Sequence, residues 1–393
     1  WFNKTYIINS TPECEIRWIV YVNDTSGNEN SSSTYSFISK YDTTPPDIVW
    51  ENPTPGNNNF TSNNFAYLNT TITDEKSTTS AFLDWNHSLV GYWSFEYSNI
   101  SGIFDNSSYN NFGTFGGVGP TTGNLVSGKY GDSLEFDGSN DYIEIDDSES
   151  LDITDSFTLD VWIYPETINN YQYIISKNYA FLDDMTYAVF LNKTNNKLQI
   201  VLDDNIYNTN DVISEDDWTH VAVTWDNSTL KSYLNGVEEY TTTHSGPLAD
   251  NDRKLLLGAR SDTGESGTIH FWKGKIDEVR IYDRALSQEE INASYNNTLN
   301  DLYHNFTDLN DGNYDYAAWG IDEMGNINTT QRNLTVDTNP PKYSSNSTNW
   351  TQVGNPVEFR LKWEDENEVS GFIFSLCNGT WTGSSCNGGW END

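Results

Sequence analysis

Short segments in which apolar and polar residues alternate recur along almost the whole chain. Examples are "FTLDVWIYP" at 157–165, "HVAVTW" at 220–225 and "LKSYLNG" at 230–236. A period of two residues puts successive side chains on opposite faces of a β-strand. Gly, Asn and Asp gather between these segments, as they do in tight turns. The pattern therefore predicts an all-β protein whose antiparallel sheets pack as sandwiches.

The segment "LSQEEINASY" at 286–295 is the only convincing helix in the sequence. Ser287 is suited to the N-cap position, and Glu290 stands three residues later, where a capping box needs an acidic residue. We expect each side chain to accept a hydrogen bond from the backbone N–H of the other residue.

An unusual phrase occurs twice, as "YDTTPPD" at 41–47 and as "VDTNPPK" at 336–342. Paired prolines fix the backbone and remove two donors, so the phrase is typical of a boundary between modules. Each copy follows an aromatic strand, a D-x-x-G-N turn and a second strand. Each copy also precedes a matching pair of strands, at 65–86 and 356–378. The chain therefore carries two front halves and two back halves of one kind of module.

These repeated halves resemble the immunoglobulin-like domains of archaeal and bacterial surface proteins. The resemblance implies β-sandwiches of about 80 to 90 residues. Residues 1–41 are the C-terminal half of one sandwich, and residues 47–88 with 298–337 form a split sandwich. Residues 342–393 are an N-terminal half, which residues 1–41 of a following copy would complete.

Residues 89–297 separate the halves of the split sandwich. They contain "LVGYWSFE", "GKYGDSLEFDGSNDYIEI", "DDWTHVAVTWDNSTLKSYLNGVE" and "GKIDEVRIYDRALSQEEI" in that order. This block resembles a laminin G-like, concanavalin A-type jelly roll inserted into the immunoglobulin-like module. The resemblance implies two curved antiparallel sheets whose first and last strands are neighbours. Six aromatic residues are expected in its core, with sugar stacking as the alternative: Trp93, Phe95, Phe136, Trp162, Trp218 and Trp225.

Composition narrows the classes of partner. The chain has 58 acidic and 20 basic residues and a formal net charge of −38. Such a surface repels nucleic acid and anionic lipid, so we expect neither partner. An acidic surface of this kind is compatible with the binding of divalent cations or with strong hydration by water. No apolar run has the roughly 18 residues of a membrane span, so no insertion into a membrane is expected.

Sequons of the form N-x-[ST] are abundant and favour a secreted, N-glycosylated protein at the cell surface. They predict N-linked glycans at Asn3, Asn9, Asn23, Asn30, Asn59, Asn69, Asn86, Asn99, Asn106, Asn192, Asn227, Asn292, Asn296, Asn305, Asn328, Asn333, Asn346, Asn349 and Asn378. The chain opens at Trp1 without Met, which suggests a processed or excerpted piece.

The three cysteines leave two pairings open. Cys377 and Cys386 flank a short loop that a local disulfide could close. Cys14 could instead pair with one of them across the boundary between two copies. Geometry decides between these pairings.

The resemblance to the jelly-roll family also implies one structural Ca²⁺ near the joined ends of the domain. Four carboxylates stand in the matching motifs: Asp105, Asp137, Asp141 and Asp277. Ca²⁺ takes six to eight oxygen ligands, so several groups must converge. The alternative is that Asp137 and Asp141 cap turns, and that Asp277 pairs with Arg280 or Arg284.

Enzymatic chemistry has one candidate motif. "EIDDSE", from Glu144 to Glu149, matches the E-x-D-x-x-E of laminarinase-like glycoside hydrolases. Retaining hydrolysis needs two carboxyls about 5 Å apart. In those enzymes apolar residues separate the acids, whereas Asp147 and Ser148 stand here, so we expect no catalytic residues.

Taken together, the patterns predict a non-enzymatic structural unit of an extracellular filament, stalk or surface layer. Copies would join head to tail, as separate subunits or as repeats of one chain, with the jelly roll projecting sideways. The second hypothesis is a carbohydrate-binding adhesin, and a glycoside hydrolase is a remote third.

Overall fold

The structure of this protein is a computed structural model. It describes residues 15–38, 42–74, 79–117, 120–180, 183–249, 252–261, 267–295, 300–348, 359–365, 371, 373, 375–377 and 390–392. Strands before residue 86 are β1 (Glu15–Trp18), β2 (Tyr21–Asn23), β3 (Glu29–Ser31), β4 (Tyr35–Ile38), β5 (Asp47–Trp50), β6 (Asn59–Thr61), β7 (Ala66–Thr73) and β8 (Thr79–Trp85).

The next strands build a jelly roll. They are β9 (Leu89–Trp93), β10 (Ser98–Asn99), β11 (Gly102–Ile103), β12 (Gly113–Gly116), β13 (Leu125–Ser127), β14 (Asp132–Asp137), β15 (Tyr142–Ile145), β16 (Phe157–Pro165), β17 (Gln172–Ala180), β18 (Asp183–Leu191), β19 (Lys197–Leu202), β20 (Asn205–Val212), β21 (Thr219–Trp225), β22 (Thr229–Leu234), β23 (Val237–Thr243), β24 (Leu255–Leu257), β25 (Arg260–Ser261), β26 (Thr268–Ile269) and β27 (Lys273–Tyr282). Short 3₁₀ turns cover Thr122–Asn124 and Glu149–Leu151.

The remaining elements follow the jelly roll. They are helix α1 (Gln288–Tyr295) and strands β28 (Asn300–Phe306), β29 (Gly312–Asp322), β30 (Ile327–Val336), β31 (Lys342–Thr348), β32 (Phe359–Glu364), β33 (Ser375–Cys377) and β34 (Trp390–Asn392). The all-β prediction is confirmed, with one α-helix among the described residues. That helix does not have the length and apolar character needed to cross a membrane.

The jelly roll consists of two antiparallel sheets. One has nine strands in the order β10-β11-β12-β15-β24-β17-β18-β19-β20. The other has the order β13-β14-β27-β16-β21-β22-β23, and β9 also pairs with β27. The inward residues of alternating strands such as β16 fill the core between the sheets, as period-two patterning requires. The first and last strands of the domain, β9 and β27, are neighbours as expected.

Five of the six aromatic residues predicted for this core are buried: Trp93, Phe95, Phe136, Trp162 and Trp225. Of these, Trp162 packs on the outer face of its sheet with Tyr130 and Ile321. Trp218 is only partly buried and packs at the edge of that same cluster. The prediction of a position in the jelly-roll core is therefore wrong for Trp162, which faces outward from β16, and for Trp218, which lies just before β21 begins.

A second, smaller sandwich combines strands from both sides of the jelly roll. Its sheets are β28-β7-β5 and β6-β30-β29-β8, and all pairs are antiparallel except β6 with β30. Alternate residues of β7 and β29 face its core, where Leu68, Tyr316 and their neighbours are buried. The predicted module boundaries and the immunoglobulin-like topology stay predictions. We call this unit the split sandwich.

The predicted capping box of helix α1 is confirmed. The Glu290 N–H donates to Ser287 Oγ at 3.3 Å, and the Ser287 N–H donates to Glu290 Oε2 at 3.0 Å. Glu290 also forms an ion pair with Arg284 at 2.7 Å. The helix thereby fixes the chain where it leaves the jelly roll.

Arg280 of β27 joins the jelly roll to the split sandwich. Its guanidinium contacts the Glu278 carboxylate, lies 3.4 Å from Asp160 Oδ1, and donates to Ser80 Oγ of β8 at 3.4 Å. It also lies 4.1 Å from the centre of the Phe82 ring of β8. Arg280, Asp160 and Glu278 are fully buried. The junction is therefore an ionic cluster sealed inside an apolar contact.

Burial and charge oppose each other in this cluster. Burial alone would raise the pKa of Asp160, but His220 and Arg280 together bring it below its ordinary value. Burial raises the pKa of Glu278 against the opposing effect of Arg280. The negative charges of Asp160 and Glu278 are therefore both stabilised by the Arg280 guanidinium.

We predict that Arg280→Met destabilises the protein by about 3–5 kcal/mol, because it leaves buried carboxylates without their cation. The measurement is the midpoint of chemical unfolding. The matched control is Lys231→Met, which removes a partly exposed ion pair with Glu238 and should cost about 0–1 kcal/mol. Equal effects of the two changes would show that the buried cluster contributes no more than a surface pair.

Candidate functional sites

Both ends of the described chain carry β-hairpins whose apolar faces lie open. In the N-terminal hairpins, β1 pairs with β4 and β2 with β3; near the other end β31 pairs with β32. Six apolar side chains there are between 43% and 52% exposed: Trp18, Val20, Val22, Phe359, Leu361 and Trp363. We call these two surfaces the end faces. Exposed apolar side chains grouped on one face of a sheet favour an interaction site.

The N-terminal hairpin has the same register as β29 and β30. Asn23 pairs with Glu29 around the turn "DTSGN", as Ile321 pairs with Ile327 around "DEMGN". Asp24 accepts from the Asn28 N–H at 2.9 Å, and Asp322 accepts from the Asn326 N–H at 3.0 Å. The two hairpins are therefore equivalent residue by residue around their turns.

From Lys342 to Ser344 the C-terminal hairpin has the same register as β5 and β7, and an irregularity between Ser344 and Asn346 then shifts its pairing. Tyr343 pairs with Trp363 as Ile48 pairs with Ile72. This equivalence and the previous one assign a counterpart in the split sandwich to each of the six exposed residues. Five of these counterparts are at most 1% exposed: Tyr316, Ala318, Leu68, Thr70 and Ile72. The sixth counterpart, Gly320, is also buried. Positions that are core in the split sandwich are thus open in the end faces.

The hairpin formed by β29 and β30 in the split sandwich also makes hydrogen bonds to the linker at 42–46, which precedes β5. Asn326 Nδ2 donates to the Asp42 carbonyl at 3.1 Å, and Asn328 Nδ2 donates to the Pro46 carbonyl at 2.9 Å. These bonds give the D-x-x-G-N and D-T-x-P-P motifs a shared structural role. One motif supplies side-chain donors, and the other supplies backbone carbonyls that need donors.

Among the predicted calcium ligands, Asp105 is already occupied by donors. Its carboxylate accepts from the N–H groups of Tyr92, Ser107 and Asn111 at 2.7–2.8 Å and from the Ser107 hydroxyl at 2.7 Å. Burial raises its pKa, and these hydrogen bonds oppose the rise. The carboxylate organises the loop that follows β11.

Asp137 and Asp141 lie together in a turn. Asp141 Oδ2 accepts from the Asp137 N–H at 3.0 Å, and Asp137 Oδ1 accepts from the Ser139 N–H at 2.7 Å. These bonds match the alternative in which both residues cap turns. The structure does not bring this pair together with Asp105 and Asp277 as one ligand set.

Asp277 differs from the other three candidates. Its Oδ2 accepts from the N–H groups of Lys129 and Tyr130 at 2.7 and 3.1 Å. Its Oδ1 is buried and has no hydrogen-bond partner. The expected pairing of Asp277 with Arg280 or Arg284 is wrong, because those arginines bind Glu278 and Glu290 instead.

Glu96 forms a hydrogen bond with the other end of the same turn, and no sequence motif identified it as a candidate ligand. Its Oε1 accepts from the Asp132 N–H at 2.5 Å. Burial, together with the neighbouring Asp132, Glu278 and Asp322 carboxylates, raises the pKa of Glu96 to about 8. Burial and the neighbouring Glu278 also raise the pKa of Asp277. The turn at 128–132 is thus held between two carboxylates in an acidic region.

A separate acidic group lies in the split sandwich. Oxygens of Asp42, Asp74 and Asp322 come within 4.8 Å of one another, and no other described group of three meets this spacing. Asp322 accepts from three donors of its own turn, on Met324 and Asn326. The group therefore supports the turn next to the linker.

The E-x-D-x-x-E motif contains a lysine-bridged pair. Lys254 Nζ lies 2.5 Å from Glu144 Oε1 and 3.0 Å from Asp146 Oδ1. Asp147 pairs with the buried Lys177 at 2.7 Å. An ammonium group thus bridges these two carboxyls, whereas in a retaining hydrolase the scissile glycosidic bond lies between the acid and the nucleophile.

The outer face of the nine-stranded sheet carries a strip of aromatic rings. Tyr173 stacks on Phe190 at 4.5 Å, and His270 stacks on Tyr173 at 6.1 Å. Lys193 Nζ lies 5.1 Å from the Tyr171 ring centre. Tyr173 and Phe190 are buried, whereas Tyr171 and His270 are partly open. Partly open rings beside polar groups suit contact with sugars.

The described sequons mostly lie at the surface. The exposed asparagines are Asn23, Asn30, Asn59, Asn86, Asn99, Asn227, Asn292, Asn305 and Asn333. Asn69, Asn106, Asn192 and Asn328 are half-buried. Asn346 is described by its backbone alone, and Asn3, Asn9, Asn296, Asn349 and Asn378 lie outside the described residues. Glycan occupancy stays a prediction.

The cysteine pairings also fall outside the described part of the chain. Cys14 and Cys386 are not described, and Cys377 ends β33 without a described side chain. Both pairings stay predictions.

Residues 137–292 match a family model described as the concanavalin A-like lectin/glucanases superfamily. The match lies within the jelly roll. A search of curated proteins gave no match.

Several solved structures are similar to part of this chain at low identity. Domain 4 of AbnA, an extracellular arabinanase from Geobacillus stearothermophilus solved with arabinotriose, is 22% identical with a TM-score of 0.43, covering 55% of this chain and 99% of that domain. The binding domain of botulinum neurotoxin DC, solved with SialylT, is 15% identical with a TM-score of 0.39, covering 54% of this chain and 51% of that one. A pentraxin from Limulus polyphemus is 15% identical with a TM-score of 0.32, covering 44% and 93%.

Proposed function

We propose that the protein is a non-enzymatic structural unit of an extracellular filament, stalk or surface layer. Its copies join head to tail because the C-terminal end face of one copy and the N-terminal end face of the next form one sandwich. The observation that carries this proposal is the equivalence of both end faces with the two halves of the split sandwich. We call the resulting contact the seam.

The open end faces supply the driving force for the seam. Covering a half-exposed large apolar side chain contributes about 1 kcal/mol, so six contribute about 6 kcal/mol. Association of separate proteins costs about 4–15 kcal/mol. Separate copies therefore associate weakly, and copies linked in one chain associate more completely because their effective concentration is higher.

The seam is a heterologous contact, of the kind that produces open fibres when it does not close into a ring. Its two faces differ, so a joined pair of copies keeps one free face of each kind and can add further copies at both ends. Strands of one copy complete the sandwich of the next, as in other cases of strand complementation. The jelly roll lies between β8 and β28 in the chain and projects sideways in this arrangement.

We predict that Val20→Asp weakens head-to-tail association at least about 100-fold, because it places an unpaired carboxylate in the seam core. Sedimentation velocity across a concentration series measures the effect. Val237→Asp is the matched control, since Val237 is also exposed but lies on β23 of the jelly roll. A wild-type chain that remains monomeric at every concentration would contradict the proposed function.

We propose that the jelly roll binds one structural Ca²⁺ through Asp277 and Glu96. Asp277 Oδ1 offers a buried oxygen without a partner, and both carboxylates hold the turn at 128–132. Carboxylate and carbonyl oxygens are the ligands that Ca²⁺ prefers. The ion would supply structural cross-linking of that turn to β27.

Calorimetric titration of the metal-free protein should then show one Ca²⁺ site and a raised melting temperature on binding. Asp277→Asn should reduce affinity by at least about tenfold, because a charged ligand becomes neutral. Asp137→Asn serves as the matched control and should bind like the wild type. Loss of binding in Asp137→Asn alone would assign the site to the other predicted ligands.

We propose glycan binding as a second function of the jelly roll, on the outer face of the nine-stranded sheet. The partly open Tyr171 and His270 rings support it. The family model that matches this domain includes lectins in its name.

A glycan array should then detect binding that Tyr171→Ala reduces by about tenfold, since aromatic contacts contribute roughly 1 kcal/mol or more beyond their buried area. Tyr97→Ala is the matched control, because Tyr97 is an exposed tyrosine near the sheet's opposite edge. Absence of binding to any glycan would leave the jelly roll as a purely structural domain.

A further inference from the structure

The split sandwich shows how one half of this module recognises the linker of the other. Asn328 Nδ2 donates to the Pro46 carbonyl at 2.9 Å, while Asn328 Oδ1 accepts from the Thr329 N–H at 2.9 Å. The local bond fixes the side chain, so that its amide points at the linker. Prolines offer no N–H groups, and the linker carbonyls therefore depend on donors from elsewhere.

The N-terminal hairpin repeats the local hydrogen bonds that orient these asparagine side chains. Asn30 is the counterpart of Asn328, because Val22 pairs with Asn30 as Gly320 pairs with Asn328. Asn30 Oδ1 accepts from the Ser31 N–H at 2.9 Å, which repeats the local bond of Asn328. Asn28 Nδ2 likewise donates to Asp24 Oδ2 at 2.8 Å, as Asn326 Nδ2 does to Asp322 Oδ2 at 2.9 Å. The side chains are therefore oriented for a linker.

We infer that Asn30, with its amide free of glycan, and Asn28 are recognition residues for a second copy of this chain. Asn30 Nδ2 donates to the Pro341 carbonyl of the preceding copy, and Asn28 Nδ2 donates to its Asp337 carbonyl. The assignment follows from the repeated phrase, in which Pro341 stands for Pro46 and Asp337 for Asp42. This inference rests on the proposed function and names the polar contacts of the same seam.

These contacts give the seam a fixed register. Apolar faces with a period of two residues remain matched when strands slip by two positions, so apolar contact alone leaves the register weakly specified. Two side-chain donors that meet carbonyls at both ends of a stiff linker permit one alignment. They also discriminate against other exposed apolar sheets, which lack the D-T-x-P-P carbonyls.

Asn30→Asp tests the inference in the full chain, produced without glycans. Aspartate keeps the oxygen that accepts from the Ser31 N–H but replaces the donor with a carboxylate facing a carbonyl. Sedimentation equilibrium should show association weakened about 10-fold or more, since a buried acceptor left unsatisfied is costly. Asn30→Ala, which removes the donor without adding charge, should weaken association about fivefold.

Asn23→Asp is the matched control. Asn23 lies on the same hairpin, belongs to a sequon and is exposed like Asn30. Its counterpart Ile321 packs toward the jelly roll rather than into the sandwich core, so Asn23 faces away from the seam. Association of Asn30→Asp as tight as that of Asn23→Asp would overturn the inference alone. A wild type that never associates would overturn both it and the proposed function.

Discussion

A β-sheet with one apolar face is stable only when another element covers that face, and the organisation of this protein follows from that constraint. The split sandwich satisfies it within the chain, where Leu68 and Tyr316 meet in one core. The terminal hairpins repeat its turns and part of its registers but leave the corresponding side chains open. Positions that form a core in the middle of the chain are exposed apolar positions at its ends.

The jelly roll depends on the same constraint in a different way. Its strand β27 is buried almost throughout because the jelly-roll core covers one face and the split sandwich and helix α1 cover the other. Burial on both faces forces the polar side chains of Asp160, Glu278 and Arg280 to satisfy one another. Such a cluster fixes how the two units meet better than apolar contact alone, which tolerates sliding. The jelly roll therefore holds one orientation relative to the split sandwich.

Sequence patterns predicted what depends on local chemistry. Alternation predicted the strands, Ser287 and Glu290 predicted the capping box, and the repeated D-x-x-G-N motif predicted two equivalent hairpin turns. Contacts between distant residues were not predictable, because nothing near Arg280 in the chain points to Ser80 or Asp160. The same limit explains the error for Asp277, whose partners are backbone N–H groups at 129 and 130. Glu96 carried no motif that would distinguish it from the chain's many other acidic residues.

The central claim is that the two end faces form one sandwich, and a tandem of two copies in a single chain tests it most directly. Hydrogen exchange of the peptides covering 15–23 and 359–364 is the measurement. Each peptide occurs once at the inner seam and once at a free end, so the account predicts two equal populations. One is as protected as strands β7 and β29, and the other exchanges rapidly. A single, rapidly exchanging population for both peptides would contradict the account.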